Sequence, residues 1–381
     1  MTNFPLKGIT VLDLTRLLPG PMCTLHLADM GANVIKIEDP VVGDYARSVP
    51  PIQKNTSKFF LSINRNKRSV ALDLRKEESR EVFLKLVRSA DVVVESYRPG
   101  VVDKMGIGYE MVKKVNPTIV YCSITGYGQT GPYSHLAGHD LNFMGYAGVV
   151  KRAPGSSGRP GIPNFQLGDI VGGSFGATMS ILAALLQQKL QGVGQYLDVS
   201  ILDGLLSHNS VAAANKDSKE LLGFDTSDML NGMLHCYNIY PTKDDRYMVL
   251  AALEYKFWER FCTAVEREDL KGKHMAAGEE GVAVFSALEE LFESKTQQEW
   301  MDFFQGTDCC VTPVLTIKEA MQNEQIVSRN MVRTSSDASE GEISQFAFPV
   351  LFSDFDFKIY RNAPRLGEHT EEVLKEFGIN R

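Results

Sequence analysis

Five short runs rich in β-branched residues recur through the first 125 positions, and helix-like segments separate them. They are GITVLDL (Gly8 to Leu14), NVIKIED (Asn33 to Asp39), SVALDL (Ser69 to Leu74), DVVVES (Asp91 to Ser96) and TIVYCSIT (Thr118 to Thr125). Runs this apolar suit strands buried on both faces, and their alternation with helices predicts a mostly parallel, doubly wound α/β sheet. Helices are expected at Met22 to Met30 (after Pro19-Gly20-Pro21), about Lys76 to Ser89, and Tyr109 to Val115. A further helix is predicted from about Gly172 to Lys189, where Phe175, Met179, Leu182 and Leu186 recur at three- and four-residue steps as an apolar face.

The chain has 381 residues, too many for one ordinary domain at about 150 residues each. Beyond about residue 200 the texture changes to α+β. YMVLAAL (Tyr247 to Leu253) reads as a strand, helices follow near Phe257 to Val265, Val282 to Glu293 and Gln297 to Phe304, and VTPVLT is short and extended. The expected division is a large domain over 1–200, completed by 325–381, and a smaller α+β domain over 201–324. Gly126 to Pro163 and the polar stretch 334–345 read as loops. Near the end, Thr370 is expected to cap a last helix that Gly378 stops.

Composition narrows the function. Forty basic and 47 acidic side chains give a net charge of -7 with no long single-sign run, so neither nucleic acid nor an anionic membrane is expected as a partner. No stretch nears ~18 uninterrupted apolar residues and no secretory leader is visible, so no membrane span is expected. Six cysteines without metal-ligand spacing read as buried thiols in a reducing, cytoplasmic setting. Gly126, Gly128 and Gly131 spell G-x-G-x-x-G after a strand, but Pro132 follows and no helix opens there. The first strand–helix turn, LLPGP, also lacks the glycines a pyrophosphate needs, so nicotinamide chemistry is not expected.

Three places concentrate polar groups among apolar neighbours: His139, Asp140 and Asn142 in AGHDLNF, Asp169 in LGDIVGG, and Glu254 in VLAALEYKFW. Each has an ordinary reading. His139 suits a solvated loop histidine, Asp169 an acid in the first turn of a helix, and Glu254 a charge at a strand end. Asp169 also suits a carboxylate at a helix's positive end, beside N–H groups able to hold an anion.

The strings LPGPMCTLHLADMGANVIKIE, RNKRSVALDLR, ESYRPGVVDKMGIG, ITGYGQTGPYSHLAGHDLNF, LGDIVGGSF, GQYLDVSILDG, TDCCVTPVL and GEHTEEVLKEFG carry a resemblance over nearly the whole chain. It is similar to the family III CoA-transferases (the CaiB/BaiF family), most of all to the α-methylacyl-CoA racemase branch. The resemblance implies a Rossmann-like large domain and an interlocked homodimer acting on an acyl-CoA thioester, with no metal or organic cofactor. In the racemases Asp169 would be an acid/base, with His139 on the other face of the α-carbon, Glu254 orienting His139, and the Asp140 N–H holding the enolate oxygen. In the transferases Asp169 would instead be a nucleophile that forms an aspartyl-CoA thioester. His139 and Glu254 favour the racemases. Leu72, Asp73, Leu74, Arg75, Arg98, Lys104, Ala137, Gly138 and Asn142 match CoA-contacting positions. The chain departs from the family at Asp39, where an arginine is usual and where an acid would repel phosphate. It departs again at Ile170 and Val171 after Asp169, at Tyr255 after Glu254, and at MLNGMLHCY (Met229 to Tyr237), which borders the acyl site.

Overall fold

The computed structural model describes residues 3–150, 161–222 and 229–379. They fall into two compact units: Met1–Gly148, Pro163–His208 and Glu324–Arg381 in one, Val149–Ile162 and Asn209–Asn323 in the other.

The first unit is built on six parallel strands: β1 (Thr10–Asp13), β2 (Asn33–Glu38), β3 (Lys67–Ala71), β4 (Val92–Glu95), β5 (Val120–Thr125) and β6 (Gln195–Ser200). Their order across the sheet is β3-β2-β1-β4-β5-β6, the doubly wound dinucleotide-fold order. Side chains alternate between the faces of a strand. Leu12, Ile35, Val70, Val93 and Tyr121 therefore share one face, against Phe83 and Leu86 of helix Glu77–Val87, Val112 of Tyr109–Val115, and Val373 and Leu374 of Thr370–Glu376. Truncating Phe83 there to alanine costs about 3–5 kcal/mol. Helices Pro19–Asp29 and Gly176–Gln191 also pack on this sheet.

A buried polar knot sits beside β1. Lys36 Nζ meets Asp44 at 3.0 Å and donates to the Thr15 carbonyl at 2.8 Å, while Lys67 Nζ meets Asp13 at 3.2 Å. All four side chains are fully buried. Burial alone would raise the Asp13 carboxyl, but the Lys36 and Lys67 ammoniums outweigh it and hold it at about 2; burial draws Lys67 down to about 8. The knot fixes the turn that leaves β1.

In the second unit β7 (Tyr237–Pro241), β8 (Tyr247–Ala251) and β9 (Val311–Pro313) form an antiparallel sheet. Trp258, Phe261, Phe292 and Trp300 fill its core. Both indole N–H groups are satisfied, Trp258 by the Leu270 carbonyl at 3.0 Å and Trp300 by that of Phe292 at 2.8 Å.

Several expectations change. Residues 334–345 are not a loop: β10 (Val332–Asp337) and β11 (Gly341–Phe346) make an antiparallel hairpin. Only Ile343 and Gln345 of β11 turn inward with Gly341 half-buried, so the stretch reads as polar, while Asp337 Oδ1 closes the turn by accepting the Ser339 and Glu340 N–H groups. Within Gly126 to Pro163, Asp140–Tyr146 is a helix, and residues 151–160 of that stretch lie outside the described ones. Pro19-Gly20-Pro21 opens helix Pro19–Asp29 rather than preceding it, because proline is tolerated in a first turn. Thr370 is the first residue of the last helix, with His369 at the cap; its hydroxyl accepts the Ala71 N–H at 3.0 Å and ties the tail to β3.

The helix around Asp169 also differs. It starts as a π-turn over Gly168–Phe175 and continues to Gln191. By length and composition this run is apolar enough to cross a membrane, with mean hydropathy 1.5 over its best window, half of it buried in the fold. Polar Ser174, Thr178 and Ser180 interrupt it, so no unbroken apolar run shows in the sequence. Nor does the expected stripe face the core. Phe175, Met179 and Leu186 are exposed, and Ala177, Ile181, Ala184 and Leu185 are buried instead.

Candidate active site

Ligands of open parallel sheets sit beyond the strands' carboxyl ends, where the strand order switches direction. Here the switch lies between β1 and β4. A cavity of about 310 Å³ opens there, lined by Arg16, Leu17 and Pro19 after β1, Ser96 to Pro99 after β4, and Thr125 to Tyr127 after β5. Ala137, Gly138, His139 and Asp169 complete much of its wall.

Asp169 stands in the first turn of the π-helix, which lies close to helix Ile201–His208. A Cβ on Gly172 would come within 2.3 Å of the Ile201 carbonyl oxygen, so the glycine lets the two backbones touch. Asp169's own N–H donates to Asp140 Oδ1 at 2.9 Å. Burial, and then the Asp140 carboxylate, push the Asp169 carboxyl up to about 7. Such a group exists in both protonation states near neutral pH, as a proton-transfer residue requires.

His139 is exposed and caps helix Asp140–Tyr146; its backbone N–H donates to Asn142 Oδ1 at 3.0 Å. The Asp140 N–H, first of that helix, has no acceptor among the described residues. Asn142 thus shapes the loop, and neither it nor Asp140 lines the cavity. Glu254 belongs to the second unit, where it is exposed and precedes helix Tyr255–Ala264.

Leu72, Asp73, Leu74 and Arg75 line a second cleft, together with Asp39 and Met105. Arg16 and Tyr97 line both this cleft and the cavity, so the two adjoin. Arg98 lines the cavity instead, and Lys104 is exposed and lines neither. Asp39 does not stand free: it meets Arg75 Nη2 at 3.1 Å, and Asp73 accepts from Arg75 Nε at 2.7 Å.

Arg16, Tyr45 and Tyr97 were absent from the residues singled out by sequence. Arg16 and Tyr97 follow the strands that flank the switch point, and that position was the available signal. Tyr45 comes from a distant turn and gave none.

Residues 6–370 match the profile of CoA-transferase family III. The chain is 31% identical to the human α-methylacyl-CoA racemase over 377 residues, 99% of this chain and 94% of the relative. It is 34% identical to the mouse succinyl-CoA:glutarate CoA-transferase over 383 residues, covering 98% and 86%. Among solved structures, a CaiB/BaiF family protein from Brucella suis superposes with a TM-score of 0.84 at 28% identity, covering 98% of this chain and all of that one.

Proposed function

Because the chain belongs to CoA-transferase family III, whose members among its relatives are racemases and CoA-transferases, we propose that it epimerises 2-methylacyl-CoA thioesters by moving the α-proton. The observation that carries this reading is that His139 and Asp169 line one cavity, with Asp169 held at about 7. The α-proton beside a thioester is weakly acidic, so inversion needs a base on one face and an acid on the other. One of the two takes the proton, the electron pair moves onto the thioester oxygen as an enolate, and the other returns a proton from the opposite face. The Asp140 N–H, which has no acceptor among the described residues and follows cavity-lining His139, is the donor that the resemblance implies for the enolate oxygen. The nucleotide end of CoA would occupy the cleft at Leu72 to Arg75, past Arg16 and Tyr97. Glu254 orienting His139, the interlocked homodimer and the cytoplasmic setting are parts of this proposal that rest on the resemblance.

The second reading is CoA transfer through an aspartyl-CoA thioester on Asp169. Its support is the identity to transferases, 34% for the mouse succinyl-CoA:glutarate enzyme, and Arg16, which lines the cavity and has no carboxylate partner among the described residues. Incubation of one 2-methylacyl-CoA epimer in D₂O separates the two. Deuterium at the α-carbon without any acceptor acid supports epimerisation. Turnover only with an acceptor acid, and an acyl adduct on Asp169 trapped by hydroxylamine, would establish transfer.

A further inference from the structure

A slot of about 550 Å³ lies between residues 333–336 of β10 and residues 357–362 of the tail, within the size range of small-ligand sites. None of its residues lines the Asp169 cavity or the Leu72–Arg75 cleft. Asn66, just before β3, fixes the tail wall. Its N–H donates to the Arg361 carbonyl at 2.9 Å, and its Oδ1 accepts the Tyr360 and Arg361 N–H groups at 3.0 and 3.2 Å. Leu72 follows the other end of that strand, so the five residues of β3, roughly 16 Å, stand between Asn66 and the cleft.

The slot is cationic in an acidic chain. Half-buried Arg333 and Arg361 line it with exposed Lys358, and no aspartate or glutamate does, although the chain carries 47 acids to 40 bases. No carboxylate pairs with any of the three among the described residues. The acids nearby are engaged elsewhere or turned out: Glu376 pairs with Arg68, Asp337 Oδ1 holds the hairpin turn, and Glu342, opposite Ser336, is exposed. Arg333 Nε is buried without an acceptor and Asn362 Oδ1 without a donor. The backbone adds donors. The Ala347 N–H donates to the Met331 carbonyl, so Arg333, Ser335 and Asp337 turn their backbone groups toward β11, and Thr334 and Ser336 turn theirs toward the tail. The Ser336 carbonyl accordingly accepts Asn362 Nδ2 at 2.8 Å, which ties the two walls together.

We propose that this slot binds the phosphate dianion of a small molecule, at a place separate from the candidate active site. The forks of Arg333 and Arg361 each match a pair of phosphate oxygens, and Lys358 adds a point charge. A carboxylate would answer only one of the three positive charges, whereas a phosphate dianion answers two and offers three oxygens to the outward N–H groups. Asn362 Oδ1 is the one surplus acceptor, suited to an O–H of hydrogen phosphate or of a sugar. The proposal stands whichever reaction the Asp169 cavity performs.

The test is titration calorimetry of ribose 5-phosphate, inorganic phosphate, ribose and free CoA. The proteins are the full chain, the double variant Arg333→Gln/Arg361→Gln, Lys358→Gln and, in the CoA cleft, Arg75→Gln, with circular dichroism to confirm folding. Ribose 5-phosphate should bind saturably and more weakly as salt is added, and ribose should not bind. The double variant should lose roughly 10- to 100-fold in ribose 5-phosphate affinity while its affinity for free CoA changes less than about 3-fold. Lys358→Gln, at an exposed site that cannot disturb the fold, should lose about 3-fold. Arg75→Gln should leave ribose 5-phosphate binding unchanged. Tighter binding of ribose 5-phosphate than of inorganic phosphate would identify the ligand as an ester, and equal affinity would identify free phosphate; both support the proposal. It is overturned by any of four results: no saturable binding of either phosphate up to about 10 mM, affinity unchanged in both the double variant and Lys358→Gln, a loss in Arg75→Gln as large as in the double variant, or a matching loss of CoA binding in the double variant. A poly-glutamate peptide that binds the slot where both phosphates fail would make it a protein-docking surface instead.

Discussion

The carboxylate of Asp140 accepts the backbone N–H of Asp169 at 2.9 Å, so one hydrogen bond both fixes the first turn of the π-helix and places a second negative charge beside the Asp169 carboxyl. Asp140→Asn keeps an oxygen acceptor there and removes the charge. The inflection of α-proton exchange with pH, expected near 7 in the unaltered protein, should move to lower pH in this variant. An exchange–pH titration on both proteins checks it.

The same carboxyl links stability to pH. Asp169 titrates at 3.8 when unfolded and about 7 when folded, so between those values the folded chain binds more protons than the unfolded one. Stability contributed at this site therefore falls as pH rises from about 4 to 7 and is flat above. Asp169→Asn should be stabilised relative to the parent at pH 8 and gain little at pH 4. Urea unfolding at the two pH values measures the difference.

Asp39 and Asp73 share the Arg75 guanidinium, at 3.1 Å and 2.7 Å. If CoA's phosphates reach this cleft, the two acids compete with them. Asp39→Ala should tighten CoA binding roughly 3- to 10-fold at low salt, with the gain shrinking as salt is added. Titration calorimetry at two ionic strengths reads both effects.

Asp44 holds the ammonium of Lys36, fully buried, together with the N–H groups of Leu17 and Ala46. Asp44→Ala leaves a buried charge without its partner and should cost about 3–5 kcal/mol, while pairing it with Lys36→Met should recover much of the loss. Chemical denaturation of the single and double variants provides the comparison.

The parallel sheet was legible because its strands are apolar on both faces: Val92 to Val94 and Val120 to Ile124 bury every residue. The β10–β11 hairpin was not, since a strand with one exposed face reads as a polar loop when its inward residues include Gln345. Helical period was equally blind to direction: it found Phe175, Met179 and Leu186, but these face outward, and smaller residues such as Ala177 and Ala184 make the buried side. His139 and Asp169 stood out by chemistry, whereas Arg16 became visible only once strand order placed its turn at the switch point.

The central claim is that His139 and Asp169 serve opposite faces of one carbon. It is tested most directly by following deuterium uptake from D₂O into each 2-methylacyl-CoA epimer separately, in His139→Ala and in Asp169→Asn. Each variant should lose roughly 10²- to 10⁴-fold in exchange of one epimer while still exchanging the other, with opposite choices in the two proteins. Full exchange of both epimers by His139→Ala, or an identical effect on both epimers in each variant, would contradict the account.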